Sequence, residues 1–232
     1  MGMTNVAVGL GAGGGMNRLM RGLILPVVYG AVLFGLAGRP DLPLLWVFWS
    51  VGAVAILTGA LAIPAANVQE QLRPAPGGVD RWRRVAVMVL AGAVGVLGPL
   101  DVGRFHWSDS VPRSLQVAAL LAYAVGIGLL VWAMAVNAFF SPVVRVQAER
   151  AHQLVTAGPY GLVRHPGYLG MMLGYGASGL ALGSWWAFLL SATCSILIVR
   201  RAALEDRYLQ QHLGGYREYS RRVPYRLLPG VW

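Results

Sequence analysis

The sequence has no lysine, a single cysteine and few charged residues. Charged side chains make up 12% of its 232 residues, which is about half the usual share in a soluble domain. One thiol, Cys194, can form neither an intramolecular disulfide nor a cysteine metal site. Its apolar neighbours predict a small, buried packing residue. The four histidines have no metal-ligand spacing, so no metal site is expected.

Long apolar runs are what the sequence has in excess. Hydrophobic residues make up 56% of the chain and the mean hydropathy is +0.58, which is typical of a membrane protein. Five runs without a charged residue mark the spans: Gly22–Gly38, Leu42–Gln69, Val85–Leu100, Ser114–Val144 and Pro166–Val199.

Three of these runs need further interpretation, because one span takes about 20 residues. The second is expected to leave the bilayer near Pro64, and the fourth after Asn137. The last is long enough for two short helices that fold back near Gly183–Ser184. The sequence therefore predicts an all-α, polytopic membrane helical bundle of about six transmembrane helices, with a C-terminal helical hairpin and a cytosolic tail.

The arginines orient this bundle. Only Arg39, Arg104 and Arg113 of the nineteen fall in loops on one side, and the remainder fall in segments on the other. Because arginine-rich loops stay in the cytosol, both termini are predicted to be cytosolic. The arginines lie between apolar runs rather than along one solvated face, which argues against nucleic-acid binding. Residues 1–17 have no basic flank before an apolar core, so no cleavable signal peptide is expected.

Residues 1–136 are interpreted as transmembrane helices 1–4, and residues 137–232 as a region that carries the chemistry. The first motif there runs from Gly158 to Gly170, with a Gly-Pro turn at its start. Pro166 suits the first turn of a helix. Arg164 and His165 would then lie at a helix N-terminus, where free N–H groups and the helix dipole favour an anion such as a cofactor carboxylate. The alternative is an arginine at the membrane border beside a capping histidine.

The second motif is the acidic pair Glu205-Asp206. Carboxylates beside a membrane are costly unless they are paired or used. Arg201 lies four residues before Glu205 and could pair with it on one helix face. A cationic ligand group, such as a sulfonium or an ammonium, would also satisfy the pair. A solvated ion pair just beyond the membrane is the alternative.

The third motif is an arginine- and tyrosine-rich tail that begins at Gly214-Gly215, where the glycines end a helix. The tail, which includes Tyr219 and Arg222, could pack back onto the inner face of the bundle. It could instead lie on anionic lipid. Asn137, at the end of the fourth span, is expected to face a cavity or a neighbouring helix rather than lipid.

Taken in order, the run GPYGLVRHPGYLG, the acidic pair and the run LGGYREYSRRVPYRLLP resemble the isoprenylcysteine carboxyl methyltransferase family, within the broader phospholipid methyltransferase superfamily. The resemblance covers Asn137–Trp232. It implies that S-adenosylmethionine binds between helices on the cytosolic side, without a Rossmann domain. The implied cofactor-binding residues are Tyr160, Arg164, His165, Tyr168, Glu205, Asp206, Tyr219 and Arg222. The implied catalytic residues are Glu205, Arg201 and Asn137. Asp206 stands where the family usually has glutamate.

The function that follows from this resemblance is methyl transfer to a lipidic or small hydrophobic acceptor. The composition, with arginine as its sole basic residue besides histidine and with much alanine and glycine, is typical of a GC-rich bacterium, so the expected location is a bacterial inner membrane. The acceptor group could be a carboxylate, thiol, amine or hydroxyl, and no feature of the sequence indicates an oligomeric state. The alternative is an NADPH-dependent reductase, because the Arg-His-Pro motif and the end of the tail also resemble sterol reductases. Those enzymes have a tryptophan pair where this chain has Pro159-Tyr160. A non-catalytic membrane partner is the third possibility.

Overall fold

The computed structural model describes residues 12–72 and 79–232, and within these ranges the fold is entirely helical. A π-helical turn at Asp101–Phe105 separates the fourth and fifth helices. The helices are α1 (Ala12–Ala37), α2 (Pro43–Ala62), α3 (Ala65–Leu72), α4 (Arg81–Leu100), α5 (Arg113–Val136), α6 (Pro166–Leu182), α7 (Trp185–His212) and α8 (Tyr216–Arg222).

Five of these helices, α1, α2, α4, α5 and α7, are long and apolar enough to cross a membrane. The fifth predicted span, α6, has 17 residues, at the lower limit of about 17–25 for a spanning helix. Gln116, near the start of α5, donates a hydrogen bond to the carbonyl of Ala181 at the end of α6 (3.2 Å). At the other end, Gly167 packs against the ring of Phe140, just beyond α5. Helix α6 is therefore antiparallel to α5 and extends along most of its length. The predicted polytopic helical bundle is confirmed.

Glycines bring α5 and α6 into close contact. A Cβ atom at Gly126 would lie 2.2 Å from the backbone nitrogen of Gly174, and one at Gly170 would lie 2.6 Å from that of Leu130. Small residues let helices in membranes pack backbone to backbone. This contact holds the first turn of α6 beside the C-terminal end of α5, where the site residues converge.

The helix boundaries differ from the prediction at the arginine-rich end of the bundle. The second run divides, because α2 ends at Ala62 and the short α3 follows Pro64. The polar segment 69–84, whose prolines and glycines predict a flexible connector, contains the end of α3 and the start of α4, and its residues 73–78 lie outside the described ranges. Helix α4 begins at Arg81, before the first apolar residues, because long arginine side chains can reach water from a helix end. Cys194 is buried, as predicted.

Candidate functional site

A cavity opens at the arginine-rich end of the bundle, among the ends of α5, α6 and α7, the connecting loop 138–165 and α8. The empty space is about 780 Å³ when the solvent in its open mouth is included. Most of the predicted site residues line it: Asn137, Tyr160, Arg164, His165, Tyr168, Glu205 and Tyr219. Arg201, Asp206 and Arg222 do not line it.

Glu205 is the one carboxylate among the described residues that line this cavity. The Tyr168 hydroxyl donates a hydrogen bond to it (2.6 Å) and accepts one from Arg201 Nε (2.8 Å). The expected direct pairing of Arg201 with Glu205 is therefore wrong, because Tyr168 lies between them. Arg201 instead forms an ion pair with Asp80 (3.2 Å). Within the described part of the chain, no cationic side chain lies within 4 Å of Glu205.

Asp206 has the opposite environment, with no exposed surface. Its oxygens accept hydrogen bonds from Arg164 (2.8 Å), Arg226 (2.8 Å) and Tyr216 (3.0 Å), among other groups. Because adjacent residues on a helix point in different directions, Glu205 faces the cavity while Asp206 faces α8 and the tail. The expectation that Asp206 lines the cofactor pocket therefore does not fit the geometry, which gives it a role in holding the tail.

Arg164 lies at the cavity wall, but its guanidinium is directed into the protein. Besides its bond to Asp206, Nη1 lies within hydrogen-bond distance of three tail carbonyls, those of Ser220, Val223 and Pro224 (2.9–3.2 Å). The backbone N–H groups of Arg164 and His165 also donate to tail carbonyls (2.9 Å each). The sequence analysis expected these groups to bind a cofactor carboxylate. They bind the tail instead.

His165 and Tyr216 connect the cavity wall to Asp206. His165 Nε2 lies 3.3 Å from an Asp206 oxygen and 3.3 Å from the Tyr216 hydroxyl. Burial raises the pKa of Tyr216 well above its usual value, so its hydroxyl stays protonated and donates to Asp206. Tyr216 lies in the same tail motif as the predicted Tyr219.

A chain of hydrogen bonds joins the tail, the loop and α5. Tyr219 donates to the carbonyl of Tyr160 (2.7 Å), and Asn137 Nδ2 donates to the Tyr160 hydroxyl (3.1 Å). Burial raises the pKa of Tyr219 to about 12, which keeps it a hydrogen-bond donor. The carbonyl of Asn137 accepts a bond from Asn67 on α3 (2.6 Å). Arg222, in contrast, is exposed and does not line the cavity, so its expected role in binding the cofactor does not fit the structure.

The connecting loop supplies two cavity residues, Arg145 and His152, that were not among the predicted site residues. Arg145 is buried and forms two hydrogen bonds of 3.1 Å to the carboxylate of Glu70. His152 stacks on Phe139 with ring centroids 4.4 Å apart. Its Nδ1 accepts the backbone N–H of Gln147 (3.2 Å). Burial and then nearby arginines lower the pKa of His152 to about 4, so the neutral ring carries its proton on Nε2. The concentration of charged residues at 145–152, in an otherwise apolar chain, was the sequence feature that could have indicated these cavity residues.

Comparison with known proteins bears on this region. Residues 115–215 match the family described as phospholipid methyltransferase. These residues carry that family's sequence signature. The matched segment contains almost all of α5, the loop after it, and the whole of α6 and α7, and these elements supply most of the cavity. The resemblance inferred from the motifs is therefore confirmed.

Two groups of relatives are similar to this chain over 87 to 91 residues. An Arabidopsis thaliana protein-S-isoprenylcysteine O-methyltransferase B is 31% identical over 87 residues, 37% of this chain and 44% of the relative. The Schizosaccharomyces pombe protein-S-isoprenylcysteine O-methyltransferase is 33% identical over 87 residues, 37% of each chain. A Mus musculus Delta(14)-sterol reductase is 37% identical over 91 residues, 38% of this chain and 22% of the relative. The chain thus covers less than half the length of each relative and is a distant homologue of both groups.

Proposed function

We propose that this protein is a membrane methyltransferase that uses S-adenosylmethionine and methylates a lipidic or small hydrophobic acceptor. The observation that carries the proposal is Glu205, a carboxylate at the wall of the motif-lined cavity with no cationic side chain within 4 Å in the described ranges. A carboxylate in such a place is satisfied by a cationic ligand. The family match over residues 115–215 supports the same reading.

The cavity residues fit this cofactor. S-adenosylmethionine supplies an electrophilic methyl group on a positively charged sulfur and also carries an ammonium group. Glu205 would hold one of these cations, and the ring of Tyr168 next to it offers a favourable face for a positive charge. Tyr160, Phe139 and Phe140 add aromatic surface for the adenine ring.

Two hydrogen bonds behind Glu205 orient its carboxylate. Arg201 donates to the Tyr168 hydroxyl, so that hydroxyl must direct its own proton to Glu205. These two bonds fix the position of the Glu205 carboxylate, so little reorganisation is needed when a cation binds. Arg201 thus acts through Tyr168 as a positioning residue, and Asn137 acts similarly through Tyr160.

We also propose that the cavity opens on the cytosolic side of a bacterial inner membrane. The arginines concentrated at this end of the bundle favour the cytosolic side. The acceptor would come from the membrane or from a small hydrophobic molecule dissolved in it, because lipid surrounds the spans next to the cavity.

The test is calorimetric titration of the full chain with S-adenosylmethionine, its demethylated product and NADPH. Glu205→Gln should weaken binding of S-adenosylmethionine about tenfold or more, since a hydrogen bond or ion pair to a charged group is lost. Glu218→Gln is the matched control, because Glu218 is exposed on α8 and does not line the cavity. Equal affinities in both variants would contradict the assignment of Glu205.

NADPH is included because the sterol reductase relative has the highest identity of the three compared, 37%. Against that alternative, Pro159-Tyr160 stands where the sequence analysis expects a tryptophan pair in such reductases. Binding of NADPH without S-adenosylmethionine would overturn the proposed function and make the protein a compact membrane reductase.

A further inference from the structure

A second cavity adjoins the first one, between α3, α4, α6 and α7. Its volume is about 900 Å³, including its open mouth, and we call it the α4 slot. Gln71, Arg84 and Arg201 lie at its polar end, and Val87, Met88 and Ile198 are among its apolar walls. Phe140 and Met171 line both this slot and the Glu205 cavity, so a molecule in the slot lies next to the candidate cofactor site.

The polar end of the slot carries excess positive charge. Arg83 and Arg201 share the single carboxylate of Asp80, at 3.0 and 3.2 Å. Arg84 donates one hydrogen bond to the carbonyl of Gln71 (3.1 Å). No carboxylate of the described residues lies within 4 Å of the Arg84 guanidinium. Two guanidinium groups thus share one carboxylate and the Arg84 guanidinium has none beside it, which favours an anionic ligand.

Gln71 provides a second, independent sign of a ligand. Its Nε2 atom is buried and has no hydrogen-bond acceptor among residues 12–72 and 79–232. A buried N–H group without a partner is costly, and an acceptor atom placed in the polar end of the slot would remove that cost. Gln71 and Arg84 therefore present donors of the kind that a carboxylate or phosphate headgroup requires.

The remainder of the slot suits an apolar chain. Met88 is 60% exposed, so the slot opens toward the lipid that surrounds α4. Ala91 and Tyr175 line both the slot and a further, largely apolar cavity within the bundle, which also includes Tyr29 and Tyr123. An extended chain can thus enter beside Met88 or continue past Ala91 into the centre of the bundle.

We propose that the α4 slot binds the methyl acceptor, and that this acceptor is a single-chain amphiphile with an anionic headgroup. The acceptor role rests on the proposed function, whereas the binding site does not. Gln71 and Arg84 lie outside residues 115–215, the segment that matches the family. The headgroup preference is therefore a property of this chain's N-terminal helices, while the shared segment supplies the cofactor cavity.

Binding can be measured on the full chain in nanodiscs of zwitterionic phosphatidylcholine, by displacement of a fluorescent long-chain carboxylate. Palmitate and hexadecyl phosphate are the anionic probes. Hexadecanol and hexadecyltrimethylammonium share the chain but lack the negative charge. We expect the two anionic probes to bind about tenfold or more tightly than the others. Tighter binding of palmitate would identify a carboxylate headgroup, and tighter binding of hexadecyl phosphate would identify a phosphate.

Two variants test the polar end. Arg84→Gln should weaken both anionic probes about tenfold, while Arg81→Gln, an equal change of charge at an exposed position of the same helix, should have no effect. Gln71→Leu should also weaken binding, and it removes an unpaired buried amide, so it is not expected to impair folding. Anionic probes that bind no better than hexadecanol, or that keep their affinity in both variants, would overturn the proposal.

Titration of the same variants with S-adenosylmethionine separates the two proposals. Unchanged cofactor affinity beside weakened binding of the anionic probes supports both proposals. Cofactor binding without any preference for anionic probes overturns the slot and leaves the methyltransferase standing. Anionic probes that bind where S-adenosylmethionine does not would overturn the proposed function alone.

Discussion

Replacing the carboxylate by an amide should affect different properties at the adjacent acids Glu205 and Asp206. Asp206→Asn removes a charge that is fully buried and leaves Arg164, whose side chain is 6% exposed, without its carboxylate. Glu205→Gln removes a charge that is partly exposed and keeps an oxygen that can accept the Tyr168 hydrogen bond. We expect Asp206→Asn to lower stability and Glu205→Gln to lower cofactor affinity.

The size of the stability effect follows from the environment of Asp206. Removing one partner of a buried ion pair costs about 3–5 kcal/mol, because the other charge stays buried. In a chain of this length, that cost corresponds to a decrease in Tm of roughly 6–20 °C. Three tail carbonyls still accept bonds from Arg164, which favours the lower end of the range. For Glu205→Gln, the expected cost is below about 1 kcal/mol, since one neutral hydrogen bond replaces a charged one.

Thermal unfolding in a neutral detergent measures both variants under the same conditions. Limited proteolysis adds a local measurement, because Asp206 holds Arg226 and Tyr216 and its loss should expose the tail beyond His212 to cleavage. If the Tm of Asp206→Asn falls no further than that of Glu205→Gln, and its tail stays protected, Asp206 does not anchor the tail and the division of roles between the two acids is refuted.

Three further predictions concern packing, pH and topology. Gly126→Ala should prevent folding, because its Cβ would overlap the backbone of α6, whereas Gly128→Ala, which has open space around it, should express normally in a membrane-insertion assay. Because the pKa of His152 is about 4 when folded and about 6.5 when unfolded, the unfolded state binds more protons between these values. Stability should therefore fall as pH decreases from 6.5 toward 4, and unfolding curves of His152→Gln should lack that part of the decrease. A reporter fused after Trp232 should be active in the cytosol, and activity on the opposite side would contradict the arginine-based orientation.

Apolar runs, glycine-proline turns and arginine positions were sufficient to predict the helical class and the region where the site lies. Runs without charge must cross the bilayer as helices, since only internally hydrogen-bonded backbone is tolerated there. The hairpin at Gly183–Ser184 was also predictable, because the fifth run is too long for one span. In the structure α6 ends at Leu182, directly before that turn. The order of the three motifs indicated the methyltransferase resemblance before any contact was known.

Tertiary structure alone decided which charged residues face the cavity and which hold the fold. Glu205 and Asp206 are adjacent in sequence, yet one faces the cavity and the other is enclosed by the tail, because the direction of a side chain depends on what packs around its helix. Arg145 is buried against Glu70 from a distant helix, a partner that no local spacing indicates. The sequence determined that a polar site lies at the arginine-rich end of a membrane bundle. Contacts between distant segments determined which of its charges are left to bind a ligand.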